Sequence, residues 1–448
     1  MKFIENSLKI KNKINQIIKD SVQVFGKVKS ISKSTIEFVG IHEKTSIGDL
    51  VYVHKNNGDI IMCEVLGITK DSATILPFDN FNDIQIDNKV NLGVKENFIY
   101  PDITWKGRVI DAFCNPMDGK ESLLEGEQKY FLNNKALSFN KRSQVGKKIS
   151  LGTRVIDTFT SCCTGQRMGI FSGSGIGKSI LISMLTKYSK VDIKIIGLIG
   201  ERSREINEFI NENLSQQDKE NSIIIASSSN ESPLTKKRAA YLTLTIAEYF
   251  RDLGCEVLCM IDSITRLAMA QREIGLASGE KAISKGYTPS VFSLLPSILE
   301  RAGPGSKKGN ITGLFTVLVE GDDHNEPISD CIRSILDGHI VLDREIAEKN
   351  IFPAVNIFKS VSRMMPKCNT KEENNIINKV KHMLKMYYDM EDMINLGLYK
   401  KGSNTELDNT IKLYDKLKSF LKQDISETTS MEDSYKILSR IINENKDE

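Results

Sequence analysis

The sequence predicts an α/β protein in three parts: an antiparallel β-barrel, a core built on a parallel sheet with helices on both faces, and a C-terminal helical bundle. Three observations carry this expectation. Short β-branched runs broken by Gly, Asn and Asp fill residues 21–93, apolar strands alternate with helical stretches from 150 to about 365, and after Pro366 only helical spacing remains.

Taken in order, residues 1–20 place Phe3, Ile4, Leu8, Ile14, Ile17 and Ile18 on one helical face, with Lys2, Lys9, Lys11, Lys13 and Lys19 against Glu5 and Asp20. This segment reads either as a first helix docked on its own domain or as an arm for a partner. The runs "VQVFGKV", "TIEFVG", "DLVYVH", "IMCEVLGI" and "SATILPF" predict the strands of a small barrel over 21–93. Turn chemistry at Asn115-Pro116 and Asp118-Gly119 marks the entry to the next domain, assigned to 94–366. Within it "RMGIF", "IKIIGLI", "SIIIAS", "EVLCMI" and "ITGLFTVLV" read as buried parallel strands, with helices such as 235–253 and 290–302 between them. In 367–448, Ile377, Val380, Leu384, Leu407, Tyr414, Leu417, Leu438 and Ile442 keep helical spacing.

Bulk properties exclude several classes. A net charge of +3 on 448 residues does not suggest a strongly basic nucleic-acid protein. No apolar run reaches the ~18 residues of a membrane span, and the N-terminus is too polar for a secretory signal. The eight cysteines form no CxxC pair and the five histidines no ligand spacing, which favours reduced thiols over a disulfide framework or a zinc site.

The stretch "SGSGIGKS", residues 172–179, departs from the strict phosphate-loop pattern only at Ser172, where the first glycine falls. It follows an apolar strand and opens an apolar helix, as the motif requires. Gly173, Ser174, Gly175, Ile176 and Gly177 form a loop whose backbone N–H groups converge on phosphate oxygens at a helix N-terminus. Lys178 would neutralise the outer phosphates of ATP, and the Ser179 hydroxyl would complete a Mg²⁺ shell. Serine at 172 is expected to cost little. The strand "EVLCMI" ends at Asp262, where a carboxylate can serve the magnesium through water. A third strand ends in "GLIGERSRE", putting Glu201 at the same edge as a general base for the attacking water. Taken alone, Asp262 also reads as a turn aspartate and Glu201 as a structural carboxylate.

The ordered segments "GQRMGIFSGSGIGKS", "GLIGERSRE", "MIDSITRLAMAQREIGLASGE", "KGYTPSVFSLLPSILERAG", "FTVLVEGDDHNEPISD", "DGHIVLDREIA" and "FPAVNIFKSVSR" resemble the flagellum-specific export ATPases. That family is similar to the catalytic β subunit of rotary ATP synthases and to virulence type III secretion ATPases. The resemblance covers residues 20–366 and is weaker beyond. It implies a RecA-like core and an ATP hydrolase that drives chaperone release, unfolding and export of flagellar proteins. It also implies that Glu201 is the catalytic glutamate, that Arg202 and Arg266 line the phosphate end, and that Phe352 replaces a tyrosine stacking on adenine. Arg363 matches the arginine finger that one subunit inserts into its neighbour's site in a homo-hexamer.

The implied partners are a regulatory stator-like protein at the N-terminus, a central stalk-like protein, export chaperones and cargo, the export gate and an anionic membrane surface. The implied location is the cytoplasm, peripheral at the inner membrane. Nucleic acid is not among the partners: "DSITRLA" also occurs in Rho-like RNA translocases, but residues 21–93 offer only Phe25, Phe38, Tyr52, Phe78 and Phe81, without a stacking cluster. A non-catalytic rotary subunit would lack Glu201. "MAQREIGLA" and "ERSREINEF" favour the flagellar over the virulence branch.

Overall fold

The structure, a computed structural model, describes residues 24–79, 81–93, 97–319, 321, 323 and 326–443. The amphipathic arm at 1–20 lies outside the described residues. The chain divides into two compact units. One holds the described residues through Asn97 together with 232–234 and 273–281, and the other holds the remaining described residues.

In the first unit, β1 (Gly26–Ile31), β2 (Ile36–Val39), β3 (Leu50–His54), β4 (Ile60–Ile68), β5 (Ala73–Pro77) and β6 (Lys89–Leu92) close into an antiparallel barrel of order β1-β2-β5-β4-β3-β6. Alternate residues point inward, so Val28, Ile36, Phe38, Val51, Val53, Cys63, Val65, Ile75 and Val90 fill the interior. Phe38 and Phe78 are buried, and Phe81 packs against the barrel core. These rings therefore form no exposed stacking platform for bases.

The second unit is organised by one sheet. Its strands are β7 (Val109–Ile110), β8 (Arg167–Ser172), β9 (Ile193–Glu201), β10 (Ser222–Ser228), β11 (Glu256–Asp262), β12 (Asn310–Leu318), β13 (Gly338–Val341) and β14 (Val361–Ser362), in spatial order β14-β13-β8-β12-β11-β9-β10-β7. From β13 to β7 every pairing is parallel. Only β14 and the short Gly303–Pro304 stretch, which pairs with β12, run antiparallel. The wholly parallel sheet that the sequence suggests is thus mixed at its margin. The helix expected over 290–302 stops at Leu299, because the chain must turn at Gly303 to pair with β12.

Helices cover both faces, and strand residues divide between them with period two. Ile193, Ile195, Val257, Cys259 and Ile261 face the layer containing α2 (Pro233–Asp252), α3 (Ile264–Ala277) and α4 (Pro289–Leu299). Ile196, Leu198, Leu258, Met260 and Ile170 face the layer containing α1 (Lys178–Tyr188). The C-terminal helices α5 (Lys371–Asn395), α6 (Thr405–Leu421) and α7 (Met431–Asn443) join that second core. Thr370 and Glu373 cap α5 reciprocally, fixing where it starts. Phe420 meets Phe159 edge-on at 6.4 Å, and Tyr387 stacks on Tyr414 at 3.5 Å. No described helix is long and apolar enough to cross a membrane.

One buried ion pair ties the α2–α4 layer together. Arg301, 1% exposed, holds both Glu248 oxygens at 2.9 Å and donates to the Leu132 carbonyl at 2.7 Å. Removing one partner strands a buried charge, whereas replacing both removes the desolvation penalty as well. Glu248→Ala is expected to destabilise the fold by about 3–5 kcal/mol. The double change Glu248→Leu/Arg301→Met should cost less than half as much. Guanidinium unfolding followed by circular dichroism compares them, and equal losses would contradict this view of the pair.

Candidate active site

The phosphate loop joins β8 to α1 at the carboxyl end of the sheet, so the helix N-terminus and the tips of neighbouring strands face one cleft. Gly177 occupies the helix N-cap with φ +90°, a conformation that an L side chain adopts only with strain. A Cβ added there would also stand 3.4 Å from the Phe352 ring. The cleft holds about 860 Å³ and is lined by the loop glycines, Lys178, Ser179, Glu201, Arg202, Arg266 and Phe352. That volume suits a nucleoside triphosphate.

Lys178 is the centre of the charge arrangement. Its ammonium donates to Asp262 Oδ1 at 2.5 Å and to Glu201 Oε1 at 3.3 Å. Both carboxylates are nearly buried, at 7% and 8% exposure. Their strands, β11 and β9, are parallel neighbours, which sets the two acids side by side at one edge. Thr316 on β12 donates to the same Asp262 oxygen at 2.6 Å. Burial pushes the Glu201 carboxyl up to about 7; the Asp262 charge and the hydrogen bond that protonated Glu201 donates to Glu205 add to this, and Lys178 only partly offsets it. Burial works against the Lys178 charge, but Asp262 and Glu201 outweigh it and hold the amine above its usual range.

The remaining sequence-predicted residues distribute unequally. Gly173 is buried, Ser174 and Gly175 face the cleft, and Ile176 is buried beneath the loop. Ser179 is exposed, lining the main cleft and a recess of about 60 Å³ that it shares with Glu201 and Asp262. Arg266 lies over Gly200, whose φ of +70° and missing side chain make room for it: an added Cβ would come within 3.0 Å of Arg266. Arg202 is exposed and paired with Glu205 at 3.1 Å. Phe352 lies at the cleft wall, and its carbonyl accepts from the Gln423 amide at 2.8 Å, linking the wall to the C-terminal region. Arg363 is the residue not brought into this cleft. It follows β14 at the sheet margin, is exposed, and its backbone amide donates to the Asp337 carbonyl.

Ser172 differs from expectation. It is fully buried, and its hydroxyl finds no partner among the described residues, so it is a cost rather than a neutral replacement. Three contributors escaped the sequence reading. Thr316 shares its strand with Asn310 and Thr312, so a polar residue there gave no distinctive signal. Glu205 stands four residues after Glu201 in the same motif. Arg344 lines the cleft and donates to the Ser174 carbonyl at 3.2 Å, with nothing local in sequence to reveal it.

A parallel sheet carrying a phosphate loop, with a lysine between two strand-tip carboxylates, defines a P-loop nucleotide-hydrolysing enzyme. Residues 152–362 match the model of the ATP synthase alpha/beta family nucleotide-binding domain, and residues 369–440 match the T3SS EscN ATPase C-terminal domain. The chain is 43% identical over 413 residues to the flagellum-specific ATP synthase of Caulobacter vibrioides, covering 91% of this chain and 93% of the relative. The Bacillus subtilis protein of the same name is 43% identical over 399 residues, 89% of this chain and 91% of its own. Among solved structures, the assembled ATPase EscN from the enteropathogenic E. coli type III secretion system superposes with a TM-score of 0.87 at 38% identity, covering 93% of this chain and all of that one. The same ATPase in complex with its central stalk EscO gives 0.85 at 36%, with the same coverage. The chain belongs to the flagellum-specific ATP synthase family, the ATP-hydrolysing enzymes of flagellar protein export.

Because the Ser172 hydroxyl is buried and unpartnered, Ser172→Ala should stabilise the protein by about 1 kcal/mol. The backbone bond from the Val319 amide to the Ser172 carbonyl is kept, so ATP turnover should stay within about twofold of wild type. A melting temperature unchanged or lowered in Ser172→Ala would mean the hydroxyl is satisfied.

Proposed function

We propose that the chain hydrolyses ATP with Mg²⁺ at this cleft and works as a ring, Glu201 activating water in one subunit and Arg363 completing the site of the next. The observation that carries the reading is the Lys178 ammonium shared between Glu201 and Asp262 at the carboxyl edge of a parallel sheet. A hydroxyl and a carboxylate are the hard oxygen donors that Mg²⁺ takes, and Ser179 and Asp262 line the same recess. When bound there, the ion would neutralise charge on the outer phosphates.

The loop from Ser172 to Gly177 would cradle the phosphates, Lys178 and Ser179 would hold the β/γ end, and Phe352 would stack on the adenine. Glu201 as a carboxylate would accept the proton of the attacking water, with Arg202 and Arg266 as anion partners near the phosphate end. Arg363, exposed at the sheet margin away from its own cleft, is suited to reach a neighbouring subunit, where such a finger is worth on the order of 10³ or more in rate.

The likeness to the assembled and stalk-bound EscN structures supports a homo-hexamer that engages a central stalk-like protein. We assign residues 94–366 to catalysis, 21–93 to the barrel and 367–448 to a helical domain facing stalk, chaperone and cargo. The arm at 1–20 is assigned to a regulatory stator-like protein, with the export gate and an anionic membrane surface nearby. The protein would thus work in the cytoplasm at the inner membrane. Burial of two barrel phenylalanines supports the absence of a nucleic-acid partner.

Glu201→Gln should retain ATP binding and lose turnover by about 10² or more. Glu201 must be ionised to act, and its pKa is raised to about 7. In wild type, kcat/KM should therefore climb with pH below about 7 and level off above it, while the residual activity of Glu201→Gln should lack that limb. A wild-type profile flat from pH 5.5 to 8 would remove Glu201 from the role of base.

Ring assembly gives a separate check. Specific activity should rise with protein concentration as subunits associate. Mixing Arg363→Ala with Glu201→Gln should raise activity above that of either variant alone, because some interfaces pair an intact Glu201 with an intact Arg363. No recovery in rings shown by mass to be mixed would place Arg363 outside the neighbour's site.

A further inference from the structure

Arg344 opens the short helix Arg344–Glu348 that follows β13, and its guanidinium reaches the phosphate loop, donating to the Ser174 carbonyl at 3.2 Å. The base from which it reaches is braced. Asp343, the N-cap of that helix, accepts from the Glu345 amide at 3.1 Å, from the Asn356 side chain at 2.8 Å and from the Lys359 ammonium at 2.8 Å. Its own backbone amide donates to the Ala354 carbonyl at 2.9 Å. The segment that presents Arg344 to the loop is therefore tied at both ends of the turn that carries Phe352, and both side chains line the cleft.

The part of the loop that Arg344 touches has little else to hold it. Ser174 stands between Gly173 and Gly175, and both Ser174 and Gly175 are exposed. A side chain at Gly175 would have no atom of the described residues within 4 Å. Packing thus does little to choose the orientation of the peptide unit joining Ser174 to Gly175. That unit is planar and trans, so its C=O and its N–H point in opposite directions. A bond that holds the Ser174 carbonyl also aims the Gly175 N–H away from Arg344. In a loop whose amides are the phosphate ligands, the same unit turned over would offer an oxygen in place of a donor.

We propose that Arg344 is a positioning residue for nucleotide binding, pinning the Ser174–Gly175 peptide so that the Gly175 N–H stays available to phosphate. The inference rests on the reading of this cleft as the ATP site. Arg344 acts through the loop and not on the reacting atoms, and a pinned loop serves ground state and transition state alike. Its loss therefore raises KM and leaves kcat at saturating ATP nearly unchanged. That signature is the reverse of the one expected for Glu201→Gln, which keeps binding and loses turnover.

The test uses two variants of the full-length protein. Arg344→Met keeps the aliphatic stem and removes the donor, whereas Arg344→Lys keeps a cationic donor. Hydrogen–deuterium exchange of the nucleotide-free protein, read on the peptide spanning 172–179, should be faster in Arg344→Met and return toward wild type in Arg344→Lys. Calorimetry should show ADP and a non-hydrolysable ATP analogue binding about tenfold more weakly to Arg344→Met, and within about threefold of wild type to Arg344→Lys. The kcat of both should stay within about twofold of wild type. Arg344 is exposed, so the melting temperatures should not move. Wild-type exchange in Arg344→Met, unchanged affinity with a reduced kcat, or an Arg344→Lys variant no better than Arg344→Met would each overturn the proposal. Faster loop exchange in Arg344→Met, from a wild type that binds neither nucleotide, would support the pinned peptide and overturn the reading of the cleft.

Discussion

The site depends on holding one positive charge between two negative ones in a place that water hardly reaches. Lys178 at the helix N-terminus, Glu201 at the end of β9 and Asp262 at the end of β11 come from three separate segments, and only the parallel sheet brings them together. Were the lysine absent, two nearly buried carboxylates would repel each other and the strand tips would carry an unpaired charge. Were the carboxylates absent, the lysine would be a buried cation at a helix end that already favours anions. The three groups are stable together, and under the proposed function the same arrangement would offer phosphate a cation and water a base.

The sheet's burial on both faces follows from this demand. Every residue of β9 is buried, and its side chains alternate between the α2–α4 layer and the layer with α1 and the C-terminal helices. Such a strand cannot shift register without moving apolar groups between two packed layers, so the position of Glu201 is fixed by packing far from the cleft. The C-terminal helices share one of those layers. Gln423 donates from its backbone to Phe352 and from its side chain to the Gly152 carbonyl, so an event at the helices has a direct hydrogen-bonded route to the cleft wall.

Much of this was legible from sequence for a physical reason. Near-continuous apolar strands, a glycine-rich loop before an apolar helix and carboxylates at strand ends are local patterns, and each survives without knowledge of the fold. What sequence left hidden depends on nonlocal geometry. Thr316 matters because β12 lies beside β11, and Arg344 because the β13–β14 region folds back over the loop. The buried, unpartnered hydroxyl of Ser172 belongs to the same class. The antiparallel margin of the sheet was equally invisible, since β14 is two residues long and carries no pattern of its own.

The central claim is that Glu201 is poised as a base by burial beside Asp262 and restrained by Lys178. The most direct measurement is the titration of the Glu201 side-chain carboxyl by carbon NMR in selectively glutamate-labelled protein, assigned by its loss in Glu201→Gln. The account predicts a midpoint near 7 in wild type, a lower one in Asp262→Asn and a higher one in Lys178→Met. A midpoint near that of an ordinary glutamate, unmoved by either substitution, would contradict it.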